Sequence, residues 1–125
     1  MRHTVTRMAE IEPWPANEPL PGQLVVDTRE EGDTSVLTLS GELDLASTPI
    51  LERELAAVES ESAKRILIDL AGVGFMDSTG LQALLRARER ATTEDGIQLV
   101  LRRGPHQVQR VFELTKTIDA FTFVD

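Results

Sequence analysis

The 125-residue sequence contains no cysteine and only two histidines, His3 and His106, which lie far apart in the chain. The absence of cysteine excludes disulfide bonds, zinc sites built from thiolates and a thiol nucleophile. Two isolated histidines do not form a cluster of metal ligands. We therefore expect a fold held together by its own hydrophobic core, without a metal ion or a cofactor.

Basic residues and long apolar runs are also scarce. The chain has 13 Lys and Arg against 21 Asp and Glu, for a net charge of −8, which disfavours nucleic-acid binding because phosphate contacts need clustered basic side chains. No apolar run approaches the ~20 residues of a membrane span. The N-terminus has a basic start but lacks the apolar core of a signal peptide. We expect a soluble cytoplasmic protein that binds neither nucleic acid nor membrane.

The chain divides into two segments of different composition. Aromatic residues make up 4% and hydrophobic residues 41% of the chain, a length and composition that fit one domain with an aliphatic core. Residues 1–21 include Trp14 and carry four prolines that interrupt any helix or strand period: Pro13, Pro15, Pro19 and Pro21. The sequence predicts a flexible, proline-rich arm over residues 1–21 and a domain over residues 22–125.

The domain shows alternating strand and helix patterns after an initial hairpin. Two β-rich runs flank Glu31-Gly32-Asp33, and a helix follows with Thr48 as candidate N-cap and Pro49 at its first position. The run "KRILIDLAGV" is typical of a strand buried on both faces. The order β-β-α-β-α-β-α-β predicts an α/β domain, with helices packed on a mixed, mostly parallel sheet.

Two turns lie at the predicted carboxyl ends of strands, where the functional residues of such sheets are usually found. One is "GELDLAS", which contains Asp44, and the other is the predicted loop 72–80. This loop ends in Asp77-Ser78-Thr79-Gly80, directly before an apolar helix pattern. If the two strands are neighbours, Asp44 approaches Ser78.

Known catalytic motifs fail at this loop. A nucleophile elbow needs Gly where Met76 stands, and a phosphate loop needs Lys where Ser78 stands. The dinucleotide fingerprint ends on Asp77 instead of glycine, and that carboxylate would repel a pyrophosphate. A receiver-type site is also absent, because no acidic pair marks the first strand end. We therefore expect no catalytic residues and no enzyme activity.

On chemistry alone, two interpretations of the serine turn stay open: it only caps the helix, or it also presents an exposed site for modification. Asp77, Ser78 and Thr79 are all preferred N-cap residues, and Thr79-x-x-Gln82 matches a capping box. One cap is sufficient for a helix, so a surplus hydroxyl is free to be modified. Arg86, Arg88 and Arg90 fit a solvated helix face better than a partner contact.

The two turns together resemble a known family. "SGELDLAS" followed by "ILIDLAGVGFMDSTGLQALLRA" is similar to the STAS domain of bacterial anti-sigma factor antagonists, from Gln23 to the C-terminus. The resemblance implies a switch. The unmodified antagonist binds an anti-sigma factor that is also an ATP-dependent serine kinase, and so releases a sigma factor. Phosphorylation ends the binding, and a metal-dependent serine phosphatase of the PP2C type resets it.

By the match to the family's motif, the implied phosphorylation site is Ser78, with Thr79 as the weaker candidate. The implied partner-binding residues comprise Asp44, Asp77, Ser78, Thr79, Gly80 and Leu81. One alternative stays open, a STAS scaffold or transport-associated module without a kinase cycle. Nothing in the sequence requires more than a monomer, and a weak dimer is not excluded.

Overall fold

A computed structural model describes residues 23–61 and 63–125. The predicted arm and Trp14 lie outside the described residues, so the domain boundary at residue 22 stays a prediction. The first half of the fold comprises β1 (Leu24–Glu31), β2 (Thr34–Leu43), α1 (Thr48–Glu59) and β3 (Arg65–Met76). The second half comprises α2 (Ser78–Arg90) with a π-helical turn (Ala91–Asp95), β4 (Gln98–Arg102), α3 (His106–Leu114), a 3₁₀ turn (Ile118–Ala120) and β5 (Thr122–Val124).

The five strands form one mixed sheet in the order β1-β2-β3-β4-β5. β1 pairs with β2 in antiparallel fashion, and β2, β3, β4 and β5 run parallel to one another. Gly32 forms the hairpin turn with a φ of +63°, a conformation that glycine adopts without a steric penalty. The predicted fold class and element order are confirmed.

The core lies on one face of the sheet. Alternate residues of the central strands form one buried cluster with side chains from all three helices. The predicted apolar face of α1 is confirmed, since Leu51, Leu55 and Val58 are buried in that cluster. The prediction that β3 is buried on both faces is wrong. Ile66, Ile68 and Leu70 are buried, but the residues between them are only half-buried because the helices cover a single face.

β3 is longer than the sequence predicts. The residues from Gly72 to Met76 were expected to form a loop, but they continue the strand beside β2. Gly72 allows this pairing, because a Cβ atom there would lie 2.8 Å from the Leu39 carbonyl oxygen. The glycine that indicated a loop therefore permits close contact between two strands.

The predicted start of α1 is displaced by one residue. Ser47, not Thr48, is the N-cap, and Thr48 is the first helical residue. Ser47 makes no side-chain cap bond, because its Oγ donates to the Glu42 carbonyl at 2.7 Å and accepts from the Asp44 amide at 2.9 Å. Its hydroxyl therefore stabilises the turn before the helix.

Candidate functional site

The two predicted turns lie side by side at one edge of the sheet. β2 and β3 are adjacent parallel strands, and their last residues, Leu43 and Met76, are register partners. The Asp77 amide donates to the Leu43 carbonyl at 3.2 Å. The chain leaves β2 through Asp44 and Leu45, and it leaves β3 through Asp77 into α2. The expectation that these strands are neighbours is confirmed.

Asp77 caps α2. Its backbone is extended, and its Oδ1 accepts a hydrogen bond from the Gly80 amide at 3.0 Å. Its Oδ2 accepts from the Leu45 amide at 3.3 Å. One carboxylate therefore completes the first turn of α2 and holds the turn after β2 against it. The capping box predicted at Thr79 and Gln82 is wrong, because the helix begins at Ser78 and Asp77 already provides the cap.

We expect Asp77→Ala to lower the free energy of unfolding by about 1–2 kcal/mol, through loss of the cap and of the bond to Leu45. Thr79→Ala is the matched control, since Thr79 lies inside the helix, and its effect should stay within about 0.5 kcal/mol. Urea denaturation of both variants measures the difference. Equal effects would show that Asp77 is not the cap.

The Ser78 hydroxyl is free. Ser78 is the first residue of α2, its side chain is exposed, and it makes no hydrogen bond with any of the described residues. Asp77 meets the capping requirement, which leaves the hydroxyls of Ser78 and Thr79 without a capping role, and Ser78 is the more exposed of the two. A helix N-terminus also favours nearby negative charge, which allows a phosphate at this position without disrupting the helix.

The three residues after Ser78 are progressively buried. Thr79 is half-buried, and Gly80 and Leu81 are buried. Leu81 belongs to the core cluster, so its side chain packs beneath the turn. A Cβ atom on Gly80 would lie 2.6 Å from the Leu43 carbonyl oxygen and 2.7 Å from its Cγ. Gly80 therefore permits direct contact between α2 and the end of β2.

Asp44 lies in the adjoining turn and is held by local hydrogen bonds. Its Oδ1 accepts from the Ser47 amide at 3.0 Å, and its carbonyl accepts from the Thr48 hydroxyl at 2.6 Å. The link between the turns runs through the next residue, Leu45, whose amide binds Asp77. The structure thus brings Asp44 into the turn next to Ser78, with no hydrogen bond between their side chains in the described part of the chain.

Two functional candidates were missed by sequence reasoning, Leu45 and Phe75. They are 72% and 48% exposed, and the third exposed large apolar side chain of the described residues is Leu114. Phe75 is the penultimate residue of β3, two residues before Asp77, and the Leu45 amide donates to Asp77, so both flank the serine turn. The only signal in the sequence is an apolar residue next to a polar turn, which does not separate exposed side chains from core ones. Apolar side chains beside an exposed polar residue are typical of protein interfaces.

Two of the three arginines of α2 form ion pairs within the domain. Arg86 pairs with Glu52 at 2.7 Å, and Arg90 pairs with Glu59 at 3.1 Å, so both link α2 to α1. Asp69 pairs with Arg102 at 2.8 Å and accepts from the Ala71 amide at 2.9 Å. Arg86 and Arg90 thus form ion pairs with α1, where the sequence predicts a solvated helix face.

The serine turn lacks the partners of a nucleophile. Within residues 23–61 and 63–125, no hydrogen bond joins Ser78 to His106, and no group of His, Cys, Asp or Glu is arranged to hold a metal ion. Over the same residues, no helix is both long and apolar enough to cross a membrane. The arrangement presents an unpaired hydroxyl that a second protein can reach.

The domain is similar to known proteins in both sequence and structure. A family model described as "STAS domain" matches residues 25–125. The anti-sigma-F factor antagonist RsfB of Mycobacterium tuberculosis is 30% identical over 70 residues, which cover 56% of this chain and 57% of RsfB. The anti-sigma-B factor antagonist of Staphylococcus epidermidis is 29% identical over 92 residues, or 74% of this chain and 84% of that protein.

A solved anti-sigma factor antagonist from Mycobacterium paratuberculosis aligns with a TM-score of 0.72 and 30% identity, over 84% of this chain and 88% of that one. The chain thus spans a little over half the length of RsfB and most of the length of the other two relatives. The fold and these matches define a STAS domain, and the chain belongs to the STAS domain family, in which these relatives are anti-sigma factor antagonists. The family resemblance predicted from the two turns is confirmed.

Proposed function

We propose that this protein antagonises an anti-sigma factor through the surface around Ser78, and that phosphorylation of Ser78 ends the interaction. The observation that carries the proposal is the exposed, unbonded Ser78 hydroxyl at the N-terminus of α2, beside a carboxylate that already caps the helix. The similarity to anti-sigma factor antagonists supports the class of partner. The protein acts by binding and is not itself an enzyme.

Charge supports the direction of the switch. A phosphate adds about −1.5 to −2 charges at neutral pH, next to the Asp77 carboxylate, with Asp44 in the adjoining turn. The helix N-terminus stabilises the added anion, so the domain stays folded. A partner surface fitted to the uncharged hydroxyl then has to desolvate the phosphate without pairing it. Binding is lost through local charge and not through refolding.

The proposed cycle needs two further proteins. The anti-sigma factor acts as an ATP-dependent serine kinase on Ser78, and a PP2C-type serine phosphatase removes the phosphate. Both act on a side chain that lies on the surface, so neither requires the domain to open. The antagonist supplies only the acceptor hydroxyl and the docking surface.

Leu45 and Phe75 supply the apolar part of that surface in this proposal. We expect Leu45→Ser and Phe75→Ser each to weaken binding of the anti-sigma factor about 10- to 100-fold, because each removes apolar area buried by the partner. Leu114→Ser is the matched control, since Leu114 is 69% exposed but lies at the C-terminal end of α3. Thermal denaturation first confirms that the three variants fold. Equilibrium binding then shows whether only Leu45→Ser and Phe75→Ser weaken the interaction. Equal weakening by Leu114→Ser would contradict the placement of the surface.

A release assay tests the proposed function. The unmodified protein, immobilised and exposed to lysate of its native cells, should retain an anti-sigma factor that mass spectrometry identifies. Added to a purified complex of that anti-sigma factor with its sigma factor, it should release the sigma factor. Retention of membrane transport components instead, with no release of a sigma factor, would favour the scaffold alternative.

A further inference from the structure

A second concave site lies at the opposite end of the sheet from Ser78. A cavity of about 310 Å³ opens beside the β1–β2 hairpin turn, where the segment that follows α1 approaches it. This volume is at the small end of the range for ligand pockets, roughly 300–1,000 Å³. The cavity is lined by Glu30, Gly32, Asp33, Ser35, Glu61 and Ala63.

Ser35 is the buried polar group of this cavity. It is only 1% exposed, and its Oγ has no hydrogen-bond partner within the described residues. Buried hydroxyls are nearly always hydrogen-bonded, because an unpaired one loses its contacts with water without replacement. Ser35 is on the helix-covered face of β2, where Leu37 and Leu39 fill the core. A serine at this position is unexplained by packing alone.

Three carboxylates surround the cavity mouth. Glu30 and Glu61 approach each other, and the side-chain hydrogen bond with Glu30, together with the charge of that carboxylate, raises the pKa of Glu61 above its ordinary value. Asp33 completes the group. Two carboxylates held this close repel each other when both are ionised, so a cation between them is favoured.

Nearby basic side chains do not neutralise this group. Arg29 pairs with Glu31, outside the cavity lining. Lys64 and Arg65 contact Asp33 through their backbone amides, at 3.0 and 3.3 Å to its carbonyl oxygen. Neither side chain forms an ion pair among the described residues. The negative charge at the cavity mouth is therefore available to a ligand.

We propose that this cavity binds a linear aliphatic polyamine, with one ammonium group between Glu30 and Glu61, another at Asp33, and Ser35 as a hydrogen-bond partner. An organic cation fits better than a bare metal ion, because no group of carboxylates in the described part of the chain is arranged for metal coordination. The methylene segments of such a chain contact Gly32 and Ala63, which present no polar side chain. This site is independent of the proposed antagonist function.

Calorimetric titration of the purified protein with spermidine, at constant ionic strength, tests the proposal. We expect saturable binding of one spermidine per protein, weakened at least 10-fold by Glu30→Gln and by Glu61→Gln and at least 3-fold by Ser35→Ala. Glu113→Gln is the matched control, because it removes the same charge from an exposed position on α3 and should leave binding unchanged.

Three results would overturn the site. One is the absence of saturable spermidine binding. Another is a loss of spermidine affinity in Glu113→Gln as large as in Glu61→Gln, which would show general attraction to an acidic protein. The third is that magnesium, added at the same total cationic charge, displaces spermidine while Ser35→Ala binds spermidine as tightly as the wild type. Thermal denaturation shows whether Ser35→Ala is folded. If it is not, the spermidine affinity of the exposed Glu61→Gln variant alone tests the site.

Discussion

Replacement of Ser78 by glutamate is expected to weaken binding of the anti-sigma factor more than 100-fold, while Ser78→Ala binds as tightly as the wild type. A change of that size corresponds to ~3 kcal/mol of binding free energy. We expect this loss because the added charge lies on the proposed docking surface, beside Asp77, and has to be desolvated without a counter-charge. Alanine removes only a hydroxyl that has no partner in the described residues.

Binding should be measured with the purified anti-sigma factor, at two salt concentrations, for both Ser78 variants. Higher salt should partly restore binding of Ser78→Glu, because part of the loss is electrostatic. Ser78→Ala is itself the control for a change in the turn that adds no charge. If Ser78→Glu binds as well as Ser78→Ala, the charge of the turn does not control the interaction.

Replacement of Gly80 by alanine is expected to give the largest loss of stability among single substitutions at the site. The added Cβ would lie 2.6 Å from the Leu43 carbonyl oxygen and 2.7 Å from Leu43 Cγ, which forces α2 away from β2. Overpacking of this kind typically costs about 1–3 kcal/mol. Such a loss lowers Tm by roughly 10 °C in a domain of this size.

Gly74→Ala provides the matched control, since no atom lies within 4 Å of a Cβ atom at that position. Its Tm should stay close to that of the wild type. Calorimetry of the two variants compares the same chemical change at a crowded and at an open glycine. A Tm loss in Gly74→Ala as large as in Gly80→Ala would show that the contact with Leu43 does not set the cost, because propensity alone favours alanine over glycine in a helix or strand.

The element order could be predicted from the sequence because its signals are local. Proline, glycine and acidic turns separate the strand and helix patterns, and the hairpin at Gly32 follows from a turn residue between β-rich runs. The family-like turns identified Ser78 and Asp77 before any geometry was known. Their adjacency followed from strand order, which the alternation of elements limits to few arrangements.

The features that were missed depend on tertiary contacts. The sequence offered three caps for α2, and only the extended backbone at Asp77 and its bond to Gly80 select one. Gly72 indicated a loop, because its close approach to Leu39 is not visible in the sequence. Leu45 and Phe75 are of residue types common in cores, and only the structure shows that Leu45, in the turn after β2, and Phe75, within β3, are exposed.

The same limit applies to the acidic cavity. Glu30, Ser35 and Glu61 come from β1, β2 and the segment after α1, and no motif links them in the sequence. Only the packing of α1 against the hairpin brings a buried hydroxyl and three carboxylates to one place. The serine turn and this cavity lie at opposite ends of the sheet, so a substitution in one can be used as a control for the other.

The most direct test of the central claim is the phosphorylation state of the protein in its native cells. Intact mass and phosphopeptide mapping across several growth conditions should reveal a fraction heavier by one phosphoryl group. We expect this group to lie on Ser78 and the heavier species to be absent from a strain carrying Ser78→Ala. Phosphate found only on Thr79 or on another residue, or no modification under any condition, would contradict this expectation.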